Sequence, residues 1–362
     1  MRREDLPAAA PHYAEHSTCT EMLRGGSKSF FAASRLLPLA YREPATALYA
    51  FCRVADDAID FADDPHEALA GLCRRLDAIY AGEPFPAVAD QAFTPVVARH
   101  AIPRVLPQAL LEGFAWDAVG RRYETLDELL DYAARVAGTV GAMMALIMGA
   151  RAPQTLARAC ELGLAMQLTN IARDVGEDAR NGRVYLPLQW LREAGVDIDA
   201  WLADPQPLPA VRAVTARLLT EADRHYERAQ TGIAELPRNC RPAMMAARLV
   251  YAEIGREVER RDCDSVTARA VVSGRRKLAL LLRASAAGAY TPLSAQPLAV
   301  PPSVRFLVES VTDHAAPAAP PQSFAERTVA IVQMFERVAV REREQRAFTA
   351  TAASATAASA GC

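Results

Sequence analysis

Apolar residues recur every three to four positions along most of the chain, and no stretch alternates apolar and polar β-branched residues over a strand's length. That period predicts an all-α protein. Helices are expected over about 17–25, 44–62, 65–81, 105–120, 126–150, 153–179, 210–235, 240–261 and 271–287. The longest apolar run, Val136 to Ala150, contains Gly138, Gly141 and Gly149 and is flanked by Arg135 and Arg151. It is shorter than the roughly 20 residues that a membrane span needs, so it reads as a buried core helix. Residues 1–16 read as a loose leader ahead of a main domain over 17–290, and the Pro/Ala-rich stretch 291–322 reads as a linker. Ser323 to Glu326 then offers a capping box, and Phe324, Thr328, Ile331, Phe335 and Val338 follow at helical spacing. An amphipathic helix is therefore expected over 323–348, docked on the main domain, on a second chain or on a membrane surface. The low-complexity tail 349–362 is expected to be disordered.

Composition narrows the functional classes. In the 362 residues, 51% are hydrophobic, enough for a substantial core, and the net charge is -2. No basic run offers a nucleic-acid footprint, so any anion site must be local. Seven cysteines, odd in number and without CxxC spacing, argue against a disulfide framework or a zinc site and fit a reducing, cytoplasmic setting. The six histidines form no ligand pattern. MRREDLPAAAP has no apolar core and does not read as a signal peptide.

The chemistry concentrates in two segments. In LYAFCRVADDAID, Asp56 and Asp60 stand four residues apart. At about 100° per residue, Tyr49, Arg53, Asp56 and Asp60 fall on one narrow stripe of a helix. Two like charges at that spacing repel, and the apolar surroundings add a desolvation cost. A cation between them removes both objections. In LAMQLTNIARDVGED, Gln167, Asn170, Asp174 and Asp178 share a second stripe beside Leu168, Ile171 and Val175, an arrangement that suits the lining of a pocket. The following Arg180 to Pro187 (RNGRVYLP) is a basic turn able to fold over a bound anion. Hard Mg²⁺ takes one or two carboxylates and completes its shell with water and substrate phosphates. Two such pairs fit a metal–diphosphate site opening on an apolar cavity.

These segments resemble the squalene/phytoene synthase family of head-to-head prenyl transferases, over about Cys19 to Leu282. The pieces occur in the family's order: GSKSFFAASRLLP from Gly26, the aspartate motif Tyr49 to Asp60, YAARVAGTVG from Tyr132, the second motif Gln167 to Pro187, and Tyr251, Arg269 and SGRRK from Ser273. The resemblance implies an isoprenoid-synthase helical bundle around a central apolar cavity. It implies that Asp56, Asp60, Asp174 and Asp178 hold Mg²⁺, or Mn²⁺ in its stead. It places Ser27, Ser29, Arg53, Gln167, Asn170, Arg173 and Arg269 at the diphosphates, and Tyr49, Tyr132 and Tyr251 near the cationic carbons. Capping is the ordinary reading for the two serines, and packing for the tyrosines. The implied reaction joins two geranylgeranyl diphosphates to phytoene through a cyclopropyl diphosphate, without NADPH. CRVADDAID looks most like the bacterial phytoene-forming members. Small residues at Ser34 and Thr46, where members taking shorter chains carry bulky aromatics, argue for C20 over C15 substrates. The alternatives are a squalene or dehydrosqualene synthase and a non-catalytic assembly factor. A lipid product makes a membrane-peripheral location and contact with other carotenoid-pathway enzymes further expectations.

Overall fold

A computed structural model of the chain describes residues 11–289 and 299–313. All regular structure among them is helical. The helices are α1 (Pro11–Gly26), α2 (Lys28–Ser34), α3 (Leu39–Asp60), α4 (Pro65–Ala81), α5 (Val88–Arg99), α6 (Val105–Ala118), α7 (Leu126–Ala133), α8 (Thr139–Ile147) and α9 (Pro153–Arg180). There follow α10 (Leu188–Glu193), α11 (Ile198–Ala203), α12 (Pro209–Ile233), α13 (Arg241–Arg260), α14 (Gly274–Ala289) and α15 (Pro302–Asp313). The ends follow local chemistry. Asp64 accepts from the amides of His66 and Glu67 to start α4, and Gly82, at φ 80°, closes it in the left-handed conformation that suits glycine.

α9 is the axis of the bundle. Buried residues occur all round it, and it joins two hydrophobic clusters, one shared with α12 and α13 and the other with α3, α6 and α8. The expected single helix 126–150 is interrupted: residues Ala134–Gly138 form one π-helical turn between α7 and α8. Such turns relieve a local misfit in helical register and concentrate at functional sites. Here the turn lies against α9. The run Leu126–Ile147 is 22 residues long and, by length and composition alone, apolar enough to cross a membrane. Its Leu129, Ala133, Met143 and Ile147 are instead buried in the core, as the glycine-interrupted pattern predicts.

Several expectations need correction. α1 starts at Pro11, inside the expected leader. α3 starts at Leu39 rather than 44, and Pro44 sits within its first two turns. α2, α5, α10 and α11 were not expected; α5 carries Pro95 in its interior, which disguises it. The expected linker 291–322 contains α15. Proline opens that helix, and Val304, Leu307, Val308 and Val311 recur at helical spacing and are buried. The carbonyl of Ala299, just ahead of α15, accepts from Arg158 Nη2 (2.8 Å) and Arg228 Nη2 (2.7 Å). Leu307 packs over Gly138 in the π-helical turn. Leu307→Ala is expected to cost about 2–5 kcal/mol, the range for a buried leucine, read as a lowered urea midpoint with unchanged slope. Residues 323–348 and 349–362 lie outside the described residues.

Candidate active site

α3 and α9 each carry an aspartate pair on the stripe that the helical spacing dictates, and both stripes line one cavity of about 870 Å³. Every candidate residue from the sequence lines it: Ser27, Ser29, Tyr49, Arg53, Asp56, Asp60, Tyr132, Gln167, Asn170, Arg173, Asp174, Asp178, Tyr251 and Arg269. A second cavity of about 280 Å³ shares Phe30, Tyr49, Cys52, Val136, Gln167, Asn170 and Tyr251 with it, so the polar mouth continues into an apolar tunnel. The tunnel runs past Ser34, Ala45, Gly141 and Met144 to Arg158, Gly232 and Leu236. Ser34 lines it as expected. Thr46 does not, because one residue along a helix turns the side chain by about 100°. Thr46 is buried and donates to the carbonyl of Arg42 at 2.8 Å, while Ala45 faces the tunnel.

Arginines hold the carboxylates of the mouth. Arg53 reaches Asp56 at 3.4 Å and Asp57 at 2.5 Å. Arg183, in the basic turn after α9, crosses to Asp60 at 3.1 Å. Asp174 receives two hydrogen bonds from Arg173 (2.8 and 2.6 Å), and Arg269 approaches it at 2.7 Å. Ser27 has two roles at once: it caps α2 by accepting from the Phe30 amide at 3.2 Å, and it shares a hydrogen bond with Tyr251. Phe30 packs between Tyr49 (6.2 Å) and Tyr251 (5.3 Å) with the rings tilted by 50° and 57°, and all three line both mouth and tunnel.

Asp117, on α6, escaped the sequence reading. It accepts from the Tyr132 hydroxyl at 2.8 Å and from the Tyr185 hydroxyl at 2.7 Å, inside a cluster completed by Tyr123. A single acid in an apolar helix gives little signal, and Tyr185 approaches from 68 residues further on. Burial pushes the Asp117 carboxyl up to about 6, against the lowering effect of its two tyrosine donors. Asp56 is raised to about 6 by burial and then by Asp60, and Asp178 to about 7 by burial and then by Asp174 and Glu177. Asp117 adds an upward push to both, so it stands electrostatically between the two pairs.

These acids fit a hard divalent ion. All are oxygen donors, several are costly as bare anions, and a cation would relieve that cost. Among the described residues no three of them already form a closed cage. Each helix therefore offers one or two carboxylates per ion, the share that Mg²⁺ takes when phosphate oxygens complete its shell.

The profile described as squalene/phytoene synthase matches residues 23–277, most of the chain and every residue that lines the mouth. The chain belongs to the squalene/phytoene synthase family. It is 52% identical to the phytoene synthase of Rhodobacter capsulatus over 304 residues, covering 82% of this chain and 90% of that one. It is 50% identical to the phytoene synthase of Cereibacter sphaeroides over 337 residues, covering 89% and 94%. A solved dehydrosqualene synthase superposes with a TM-score of 0.70 at 30% identity, over 76% of this chain and 96% of that one. A squalene synthase from Alicyclobacillus acidocaldarius, at 23% identity and TM-score 0.64, shares the fold. The family's all-α isoprenoid-synthase bundle around an apolar cavity is thus the fold seen here.

Proposed function

We propose that the protein is a phytoene synthase, joining two geranylgeranyl diphosphates head to head in the committing step of carotenoid synthesis. The observation that carries this reading is the continuity of a carboxylate- and arginine-lined mouth with a tunnel whose walls at Ser34 and Ala45 are small. The identity of about half with two phytoene synthases supports it.

Asp56, Asp60, Asp174 and Asp178 would hold Mg²⁺, which when bound neutralises charge on the departing diphosphates. Arg53, Arg173 and Arg269 lie beside the same carboxylates, with charged donors for phosphate oxygens. Departure of one diphosphate leaves an allylic cation. The double bond of the second substrate attacks it and loses a proton, closing a cyclopropyl diphosphate. Loss of the second diphosphate, rearrangement and loss of a second proton give a C40 hydrocarbon with a central conjugated triene. The apolar tunnel excludes water from these cations, and the faces of Phe30, Tyr49 and Tyr251 present π electron density to them. Tyr132 and Tyr185 donate to Asp117, which fixes the orientation of both hydroxyls at the mouth.

Pure protein incubated with geranylgeranyl or farnesyl diphosphate, with and without NADPH, should make phytoene from the C20 substrate with no need of NADPH. A C30 product in preference would replace this reading with a squalene or dehydrosqualene synthase; no product from either would favour an assembly factor. Ser34→Phe should block the tunnel beside Ala45 and shift preference toward C15 substrate by about tenfold or more, read as the kcat/KM ratio for the two diphosphates. Unchanged preference would remove Ser34 from the determinants of chain length.

A further inference from the structure

The face of α14 that turns away from the bundle carries a feature the reaction does not use. Leu280 and Ala284 are buried against the core, while Leu278 and Leu282, one turn apart on the opposite face, are 59% and 67% exposed. Val271, in the segment leading into α14, is 66% exposed and also lines the mouth of the active site. From Ser265 to Ala289 the sequence contains Arg269, Arg275, Arg276, Lys277 and Arg283 and no Asp or Glu, in a chain whose net charge is -2. Arg269 and Arg276 are engaged by Asp174 and Glu253. Arg275 and Arg283 are exposed, with no carboxylate partner among the described residues. The other exposed large apolar side chains, Leu39, Phe61 (81%), Phe85, Val119 and Leu208, are scattered along other parts of the chain.

We propose that this face of α14 docks on an anionic lipid bilayer, with Leu278 and Leu282 entering the interface and Arg275 and Arg283 meeting lipid phosphates. Leucines at i and i+4 flanked by arginines are what an interfacial helix requires, and basic side chains match the negative surface of such a bilayer. Continuity with the mouth through Val271 and Lys277 puts the opening at the membrane, where a prenyl chain can pass from lipid to tunnel without crossing water. That purpose rests on the reading of the mouth as a lipid-diphosphate site, but docking is measured without substrate, so either can fail while the other stands.

The test is co-sedimentation of the full-length protein with vesicles of phosphatidylcholine alone or mixed with phosphatidylglycerol. The unaltered protein should bind the mixed vesicles and release as salt rises. L278Q/L282Q and R275Q/R283Q should each weaken binding by about tenfold or more, with turnover of detergent-dispersed substrate unchanged. Failure of the unaltered protein to bind anionic vesicles would overturn the proposal. So would binding by both double variants as tight as that of the unaltered protein, which would assign any membrane contact to another part of the chain, such as 323–348.

Discussion

Asp178→Asn is expected to lower turnover by about a thousandfold or more while raising the thermal stability of the substrate-free protein at alkaline pH. The carboxyl is pushed up from 3.8 to about 7 by burial, with Asp174 and Glu177 adding to it. A folded-state value above the unfolded one means that the folded protein prefers the protonated form. The cost of the charge is therefore absent below about pH 4, grows as pH rises from there, and is complete above about pH 7. Asparagine never carries that charge. After discounting for solvent screening, its advantage is about 1–2 kcal/mol, or a few degrees of melting temperature. The variant should melt above the unaltered protein at pH 8 and level with it near pH 4. Asp56→Ala and Asp174→Ala should also abolish turnover and leave the helical fold intact, although Asp174 is held by two arginines and its loss, which leaves the largely buried Arg173 unpaired, should bring no gain in stability. Normal turnover by Asp178→Asn would remove this residue from the metal site.

The second large effect is structural. Gly163→Ala is expected to destabilise the protein by about 3 kcal/mol or more, because overpacking here has no soft neighbour to yield. A Cβ at Gly163 would stand 2.3 Å from the carbonyl oxygen of Ala137 and 2.9 Å from the amide nitrogen of Gly138. From the other side, a Cβ at Gly141 would stand 2.2 Å from the carbonyl oxygen of Ala159. The π-helical turn and α8 therefore meet α9 backbone to backbone, and only glycine permits that approach. α9 also carries Gln167, Asn170, Asp174 and Asp178, so a shift of about 1 Å should reach the mouth and cost roughly a hundredfold in turnover. Gly71→Ala, with nothing nearer than 3.8 Å, serves as the control and should be neutral or slightly stabilising. Equal melting temperatures for the two variants would show that the close approach is not needed.

Helical spacing explains how much of this could be read from sequence. Carboxylates four apart in an apolar helix carry their own signal, since the repulsion and desolvation they incur require a reason. The two stripes could therefore be found separately, and the bundle brings them to one mouth. Asp117 lacked such a signal: its meaning comes from Tyr132 and Tyr185, which fold onto it from distant parts of the chain. The tunnel wall was placed one residue off, at Thr46 instead of Ala45, because matching positions to the family by resemblance does not fix which of two neighbouring helical residues faces inward. α15 was hidden by Pro/Ala composition, although Val304, Leu307, Val308 and Val311 do repeat at helical spacing. The π-helical turn leaves no trace in apolar periodicity, and the backbone approach it makes is to Gly163 on another helix, which local spacing does not show.

The central claim is that two acidic pairs on separate helices share divalent ions at the head of a hydrocarbon tunnel. Crystals grown with Mn²⁺ and an unreactive thiodiphosphate analogue of the C20 substrate, with data collected at the manganese edge, test it most directly. Anomalous peaks should lie between the α3 and α9 carboxylates, touching diphosphate oxygens, with the prenyl chain passing Ser34 and Ala45. Manganese bound elsewhere, or a diphosphate seated in the mouth with no metal beside Asp56, Asp60, Asp174 or Asp178, would contradict it.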